Sequence, residues 1–533
     1  MGWGLAIVVA APASAQIYES ARDALGLQSD ALARSPRLAG MGRLTVVGDD
    51  PHNRIDYWNF AGNAVGIGAA DSTSTFELRP GTAAASAVQT DPSRPYPFES
   101  QYVAGRETRT GVEAWRRSST TTYGIYGNLN SLRLDQPYST GSEVRGHFSN
   151  PDFLTALNGP VPYLKSGRLK YALSVLWGRQ SLDAEYRGTV SNAAGTYIDR
   201  NGATLTPPNF FVPDEARINT LGGSAALSYR FGSWLDAAAV GKLTSVELVS
   251  GNSGERYSSE VREKLRGSRP YPEGRATLIG HVGKNLEWGW DGGIWSSRSE
   301  QRWAFTTSAG IGQNPLTGQG KLADHEQRQS DMNARVRWSE GLLEVGGSFG
   351  TVFQQSVINP PSLDDPTSLN QFLYQVYNRP NADSLALPDS VSYGRVEQRV
   401  WQGAGGVSFR FPGRRGLVAA EYHRYQIERS QVPGGVGPRR TQWDLRAGLE
   451  YRCTPVLTGR GGYIYRSTDL DELTRSNEYK GNTGTLGFSI QPAGAMWSFD
   501  LAWGMEWWYA DFGDPTLPHG SRQQASSQLR LAF

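Results

Sequence analysis

Cysteine is almost missing from this chain. Cys453 stands alone among 533 residues, so no intramolecular disulfide can form. Histidine is scarce as well: the 6 present include no H-x-x-x-H pair, and one cysteine cannot make C-x-x-C or C-x-x-C-H. The usual signatures of zinc sites and covalently attached haem are therefore absent, and no cofactor or metal is expected. Beyond the N-terminus no run approaches the ~18 apolar residues that a membrane-crossing helix needs. Neither sign of charge dominates. Lys+Arg 53 against Asp+Glu 51 leaves +2, with no basic footprint for nucleic acid. Aliphatic residues are also thin: 38% of residues are hydrophobic and the mean hydropathy is -0.47. A large soluble α/β enzyme is disfavoured, because its parallel strands are apolar on both faces.

Aromatics and glycine are abundant: 16 Trp, 24 Tyr, 18 Phe and 63 Gly. That load is too high for a disordered chain. Its distribution has a period of two. Leu221, Gly223, Ala225, Leu227, Tyr229 and Phe231 oppose Gly222, Ser224, Ala226, Ser228 and Arg230. Trp443, Leu445, Ala447, Leu449 and Tyr451 oppose Gln442, Asp444, Arg446, Gly448, Glu450 and Arg452. Runs of this kind, longer than the usual strand, predict an all-β, transmembrane antiparallel β-barrel with one face toward lipid. Tight turns fall at Gly232-Ser233, Lys284-Asn285, Glu340-Gly341, Pro412-Gly413, Thr454-Pro455 and Ala493-Gly494. Longer polar stretches lie between them at 135–169, 189–216, 251–271, 304–327 and 358–393. Tight turns belong on the periplasmic side. About seventeen strand-like segments follow residue 72, and an even number is required, so about 14–18 strands are expected. Splitting 170–190 in two gives eighteen. Trp338, Trp443, Phe409 and Trp497 are placed near periplasmic turns as part of an aromatic girdle, with Tyr465 and Trp507 toward the other end.

The ends fit an exported barrel. Residues 1–15 read as a signal peptide, an apolar stretch closed by Ala13-Ser14-Ala15. Ser527, Leu529, Leu531 and Phe533 share one face of a last strand, similar to the terminal signal of bacterial outer-membrane barrels. The barrel is expected over 71–533, integral to the outer membrane of a Gram-negative cell, with both termini periplasmic. Residues 16–70 do not alternate. Helical spacing over 18–34 predicts a short helix stopped at Ser35-Pro36, within a segment packed inside or under the barrel.

That segment carries the most specific string in the chain. Gly40 and Gly42 make a Gly-x-Gly step before an apolar stretch, Asp49 and Asp50 a turn, and Tyr57, Trp58, Asn59, Ala61 and Gly62 a closing motif. Over these ~35 residues the chain resembles the outer-membrane long-chain fatty acid transporter family, the FadL-like barrels. Phe60 stands where that family has proline. The resemblance implies that the N-terminal segment is a lumenal hatch, formed here by Gly40, Gly42, Asp49, Asp50, Tyr57, Trp58, Asn59 and Gly62. It also implies a small hydrophobic solute.

The faces directed away from lipid carry mixed charge. Arg335, Arg337, Arg446 and Arg452, with Asp444 and Glu450, are expected to line the lumen and set a transverse field there. His423 and Glu421 fall on one strand face and read as an ion pair of the wall. No arrangement supports catalysis, so no enzyme is expected. The function predicted is passive or hatch-gated passage of small molecules, in contact with outer-membrane lipid and a solute. The alternative is a structural or interaction barrel that anchors or sheathes a partner protein.

Overall fold

A computed structural model describes residues 35–47, 74–90, 100–118, 121–137, 143–161, 168–187, 197–198, 204–205, 215–253, 257–265, 271–307, 317–359, 394–432, 435–472, 475–510 and 519–533. A single-turn helix, α1 (Pro36–Gly40), precedes the strands. The first strands are β1 (Thr75–Thr90), β2 (Ser100–Ser118), β3 (Thr121–Pro137), β4 (Glu143–Pro160), β5 (Leu169–Arg187), β6 (Glu215–Phe231) and β7 (Leu235–Ser253). Next, β8 runs in two stretches, Tyr257–Leu265 and Tyr271–Val282, both laddered between β7 and β9 (Leu286–Thr307). Then come β10 (Thr317–Glu340), β11 (Leu343–Asn359), β12 (Gly394–Arg410), β13 (Gly416–Val432) and β14 (Gly435–Arg452). The last four are β15 (Leu457–Glu472), β16 (Arg475–Ile490), β17 (Trp497–Ala510) and β18 (His519–Ala532). Tyr197–Ile198 and Thr204–Leu205 form a separate two-strand ladder.

Each strand pairs antiparallel with the next, and β18 returns to β1 from Thr75↔Ala532 to Val88↔His519. The result is a closed 18-strand barrel. Closure removes both edges of the barrel sheet, so it presents no row of unpaired backbone donors to lipid. Side chains obey the two-residue period. On β6, Leu221, Leu227, Tyr229 and Phe231 are exposed, while Gly222 and Ala226 are buried. On β14, Leu445, Leu449 and Tyr451 are exposed, while Gln442, Asp444 and Arg446 are buried. An apolar exterior around a polar interior inverts the rule for soluble proteins, and lipid is the solvent that makes it stable.

All six tight turns are present. Gly232, Gly283, Gly341, Gly413 and Gly494 supply five of them with φ between 60° and 77°, a region closed to most side chains. Phe533 exchanges backbone hydrogen bonds with Ser74, N to O at 3.0 and 3.2 Å. The β1 and β18 ends therefore meet on the tight-turn rim.

Three expectations need correction. Residues 170–190 are not two strands: β5 crosses once. The extra strand is β4, inside the stretch 135–169 that reads as a loop. Its middle, Asn150-Pro151-Asp152, has the composition of a turn. The barrel accommodates it because the β4–β5 ladder skips Asn150 and Pro151, so the missing proline N–H falls where no bond is made. Likewise, the stretch 251–271 contains the upper part of β8. Trp443 and Tyr465, 5.3 Å apart between ring centroids, sit at mid-strand and not in terminal girdles. The helix predicted over 18–34 lies outside the described residues. Ser35 begins a helix as well: its Oγ accepts from Leu38 N at 3.3 Å, with Pro36 at the first helical position.

Candidate functional site

Residues 35–47 lie against the inner face of the wall and cross it from β17 to β11. Glycines on the wall make the approach possible. Gly346 and Gly406 are register partners, as are Gly448 and Gly462, and all four turn toward the segment. A Cβ on Gly42 would come within 2.5 Å of Ala447 O, and one on Gly448 within 2.9 Å of Leu44 Cδ1. A Cβ on Gly462 would collide with the backbone of Gly42. The two main chains touch because neither bears a side chain at the contact. Gly42 (φ 72°) and Arg43 (φ 57°) are both left-handed, and this double step turns the chain outward after α1.

The turn aims successive amides at one carboxylate. Thr45 N donates to both oxygens of Glu421 at 2.9 and 2.8 Å, Val46 N to Oε1 at 2.6 Å and Val47 N to Oε1 at 2.8 Å. Thr45 Oγ1 adds a bond to Oε2 at 3.2 Å, and His423 Nε2 lies 2.7 Å from the same oxygen. Consecutive amides converging on an anion form a nest, and here the anion is the barrel's own side chain. The apolar stretch after Gly42 is therefore not a strand: its amides bond to Glu421 instead of a neighbouring chain.

Other wall groups hold the carbonyls and the helix. Arg335 Nη2 donates to Val46 O at 2.9 Å, and Arg446 Nη1 to Arg43 O at 2.6 Å. Arg37 grips Glu450 with two bonds, Nε to Oε2 at 2.8 Å and Nη2 to Oε1 at 2.9 Å. Arg460 bridges the same Glu450 at 2.8 Å to Asp500 at 2.7 Å. Thr485 Oγ1 accepts from Gly42 N at 3.0 Å and donates to Gly40 O at 3.1 Å. Beneath these, Leu38, Met41, Leu44, Val46 and Val47 pack on Leu417 and Ala419, with Met41, Leu44 and Val47 wholly buried.

The wall charges continue as a network. Asp444 accepts from Arg446 at 2.8 Å and from Arg466 at 2.9 Å. Arg466 also reaches Glu506 at 3.1 Å, and Glu506 pairs with Arg522. Pairing across neighbouring strands allows so many charges to be buried together.

Of the residues singled out by sequence, Gly40, Gly42, Arg335, Asp444, Arg446 and Glu450 come together here. Arg337 stands apart, 3.4 Å from Glu287. Arg452 is exposed and donates to Pro455 O at 2.6 Å. It belongs to the tight-turn rim because β14 ends there, so it is not grouped with Asp444 and Glu450. Asp49, Asp50, Tyr57, Trp58, Asn59 and Gly62 lie outside the described residues. Sequence reasoning missed Arg37 and the acceptor role of Glu421, and it read the wall glycines only as composition. Inward glycines recurring on adjacent strands were the available signal. Among the described residues no three His, Cys, Asp or Glu side chains gather as metal ligands.

No protein-family model matches the chain, and no curated protein matches it at a significant level. Solved structures of similar outline are outer-membrane barrels. The toluene transporter TbuX of Ralstonia pickettii is 13% identical, with a TM-score of 0.36, over 95% of this chain and 99% of its own. A FadL homologue of Pseudomonas aeruginosa is 11% identical at 0.35, over 94% and 97%. OccK5 of the same organism is 10% identical at 0.36, over 86% and 98%. The likeness is one of outline, and the barrel described above rests on this chain's own ladder.

Proposed function

We propose that the protein is an integral outer-membrane barrel for passage of small molecules, in which the N-terminal segment is a hatch that must move for solute to cross. The observation that carries this reading is the grip of Glu421, Arg446 and Arg335 on the backbone of residues 43–47. A barrel built only as an anchor or sheath needs no such contacts inside its wall. The latch consists of hydrogen bonds to one loop of backbone, a few kcal/mol in all at roughly 1 kcal/mol net apiece. That is enough to hold the segment and small enough for binding of a solute to offset. Hydrophobic solutes are the class the sequence resemblance implies. We propose no enzymatic activity.

Proteoliposome swelling tests the reading, with full-length protein compared to protein lacking residues 16–70. Faster entry of small sugars into liposomes holding the shortened form is the expected result. If neither form admits a sugar or a hydrophobic fluorescent probe, the transport reading is wrong.

A further inference from the structure

The inner face of β8–β12 differs in character from the buried ion pairs of β14–β18. Arg335 fixes which face is inward, because it bonds Val46 O of the hatch. Asp331 and Gln329 follow it at two-residue steps along β10 and so share that face. Register carries the face across the wall in one row. Glu273 of β8 opposes Trp295 of β9, and Trp295 opposes Gln329 of β10. Gln329 opposes Gln354 of β11, which opposes Gln398 of β12. From Arg335 to Gln329, at about 3.3 Å per residue and a tilt of about 40°, the wall rises about 15 Å toward the long loops. A solute entering from that side meets this row before it meets the hatch.

Two aromatic rings stand in this polar setting. Tyr271 and Trp295 lie 5.2 Å apart between centroids at an interplanar angle of 37°, and each is only partly buried. The ions beside them are matched to one another. Lys242 bonds Glu273 at 3.2 Å, and Arg275 bonds Asp331 at 2.7 Å and also pairs with Asp291. The other polar groups of the surface are carboxamides. Gln329, Gln354 and Gln398 are consecutive in the row, and nearer the hatch Asn333 Oδ1 and Gln402 Nε2 converge over Gly350, both residues exposed. Each carboxamide offers two donors and an acceptor, so one bond to a neighbour does not exhaust it.

The chemistry of the row selects the class of solute. A hydrocarbon lying over it would cover amides and carboxylates without replacing their hydrogen bonds to water, which costs free energy at every group covered. An ion would find the opposite charges already engaged. A pyranose ring suits both halves of the surface: its C–H face lies on an indole or phenol ring, and its hydroxyls both donate to and accept from carboxamides. We infer that Tyr271, Trp295 and the Gln329–Gln354–Gln398 row form a lumenal subsite for a neutral pyranoside. The subsite rests on the passage reading above for the solute's route, and it takes a class other than the hydrophobic solutes that the sequence resemblance implies.

The test is saturation-transfer NMR on the full chain in detergent micelles, with the methyl pyranosides of glucose, galactose, mannose and xylose at millimolar concentration, and toluene as the apolar probe. The expected result is transfer to the ring C–H protons of one or more glycosides. Trp295→Ala should weaken that binding by about tenfold, the loss of one stacking contact. Gln329→Leu, which keeps the side-chain volume, should weaken it too, and Trp234→Ala at the tight-turn rim should not. Heat-modifiable mobility confirms that each variant is folded. Transfer to none of the four glycosides would overturn the subsite. So would glycoside binding unchanged in both folded variants, or Trp295-dependent transfer to toluene alone. Proteoliposome swelling separates the two readings: glycosides that bind in a Trp295-dependent way but do not enter would refute passage and leave the subsite standing.

Discussion

Glu421 has the most consequential environment of any side chain in the wall. Its two oxygens satisfy three consecutive amides and a hydroxyl of a segment more than three hundred residues away in sequence. Glu421→Ala leaves those amides without acceptors, at about 1–3 kcal/mol for each buried group. Hydrogen exchange at Thr45, Val46 and Val47 should accelerate by at least about tenfold, since ~1.4 kcal/mol is a factor of ten. His423→Ala removes one contact to Glu421 and a longer one to Thr45 Oγ1, leaves the amides their acceptor, and should have a much smaller effect. Unchanged exchange in Glu421→Ala would show that the carboxylate is not the latch. Gly462 makes a second prediction. Val at this position places a branched side chain where Gly42 now lies, so the segment must lift off β14 and β15. Trypsin should then cut after Arg43, which is 2% exposed and protected in the native protein. Continued resistance would contradict the close approach.

At the scale of elements, the hairpins depend on left-handed glycines at the tight-turn rim. Gly341 (φ 60°) joins β10 to β11 and has open space around its Cα, so substitution adds strain without a clash. Gly341→Ala should destabilise the barrel by about 1 kcal/mol, read as a lower urea midpoint for loss of heat-modifiable mobility. An unaltered midpoint would show that the turn is not strained by a side chain. Legibility in the sequence also divides by element. β6 and β14 could be read directly, because each sets a full apolar face toward lipid against a polar or small one. β4 could not, because Asn150-Pro151-Asp152 looks like a turn until the gap in the β4–β5 ladder is known. The candidate site was legible in its parts but not in its arrangement. Gly40, Gly42, Asp444 and Arg446 are each visible, but their meeting depends on contacts between distant residues, and no local pattern records those. The carboxylate that holds the segment looked like half of an ordinary wall ion pair, because its other partners are backbone amides with no residue signature.

For the whole molecule, a closed barrel explains the composition. Each strand needs one apolar face only, so 38% hydrophobic residues suffice for a wall of this size. Near-neutral net charge survives as inner networks such as Asp444–Arg466–Glu506–Arg522 and, outside, as pairs such as Arg298–Glu326. Glycine serves two purposes, turning the chain at one rim and clearing a path for residues 35–47 across the wall. The central claim is that this segment closes the lumen. Planar-bilayer conductance of the full chain and of the chain lacking residues 16–70 tests it most directly. The account predicts rare or small openings for the full chain and a large, steady conductance once the segment is removed. Equal conductance of the two forms, or none from either, would contradict it.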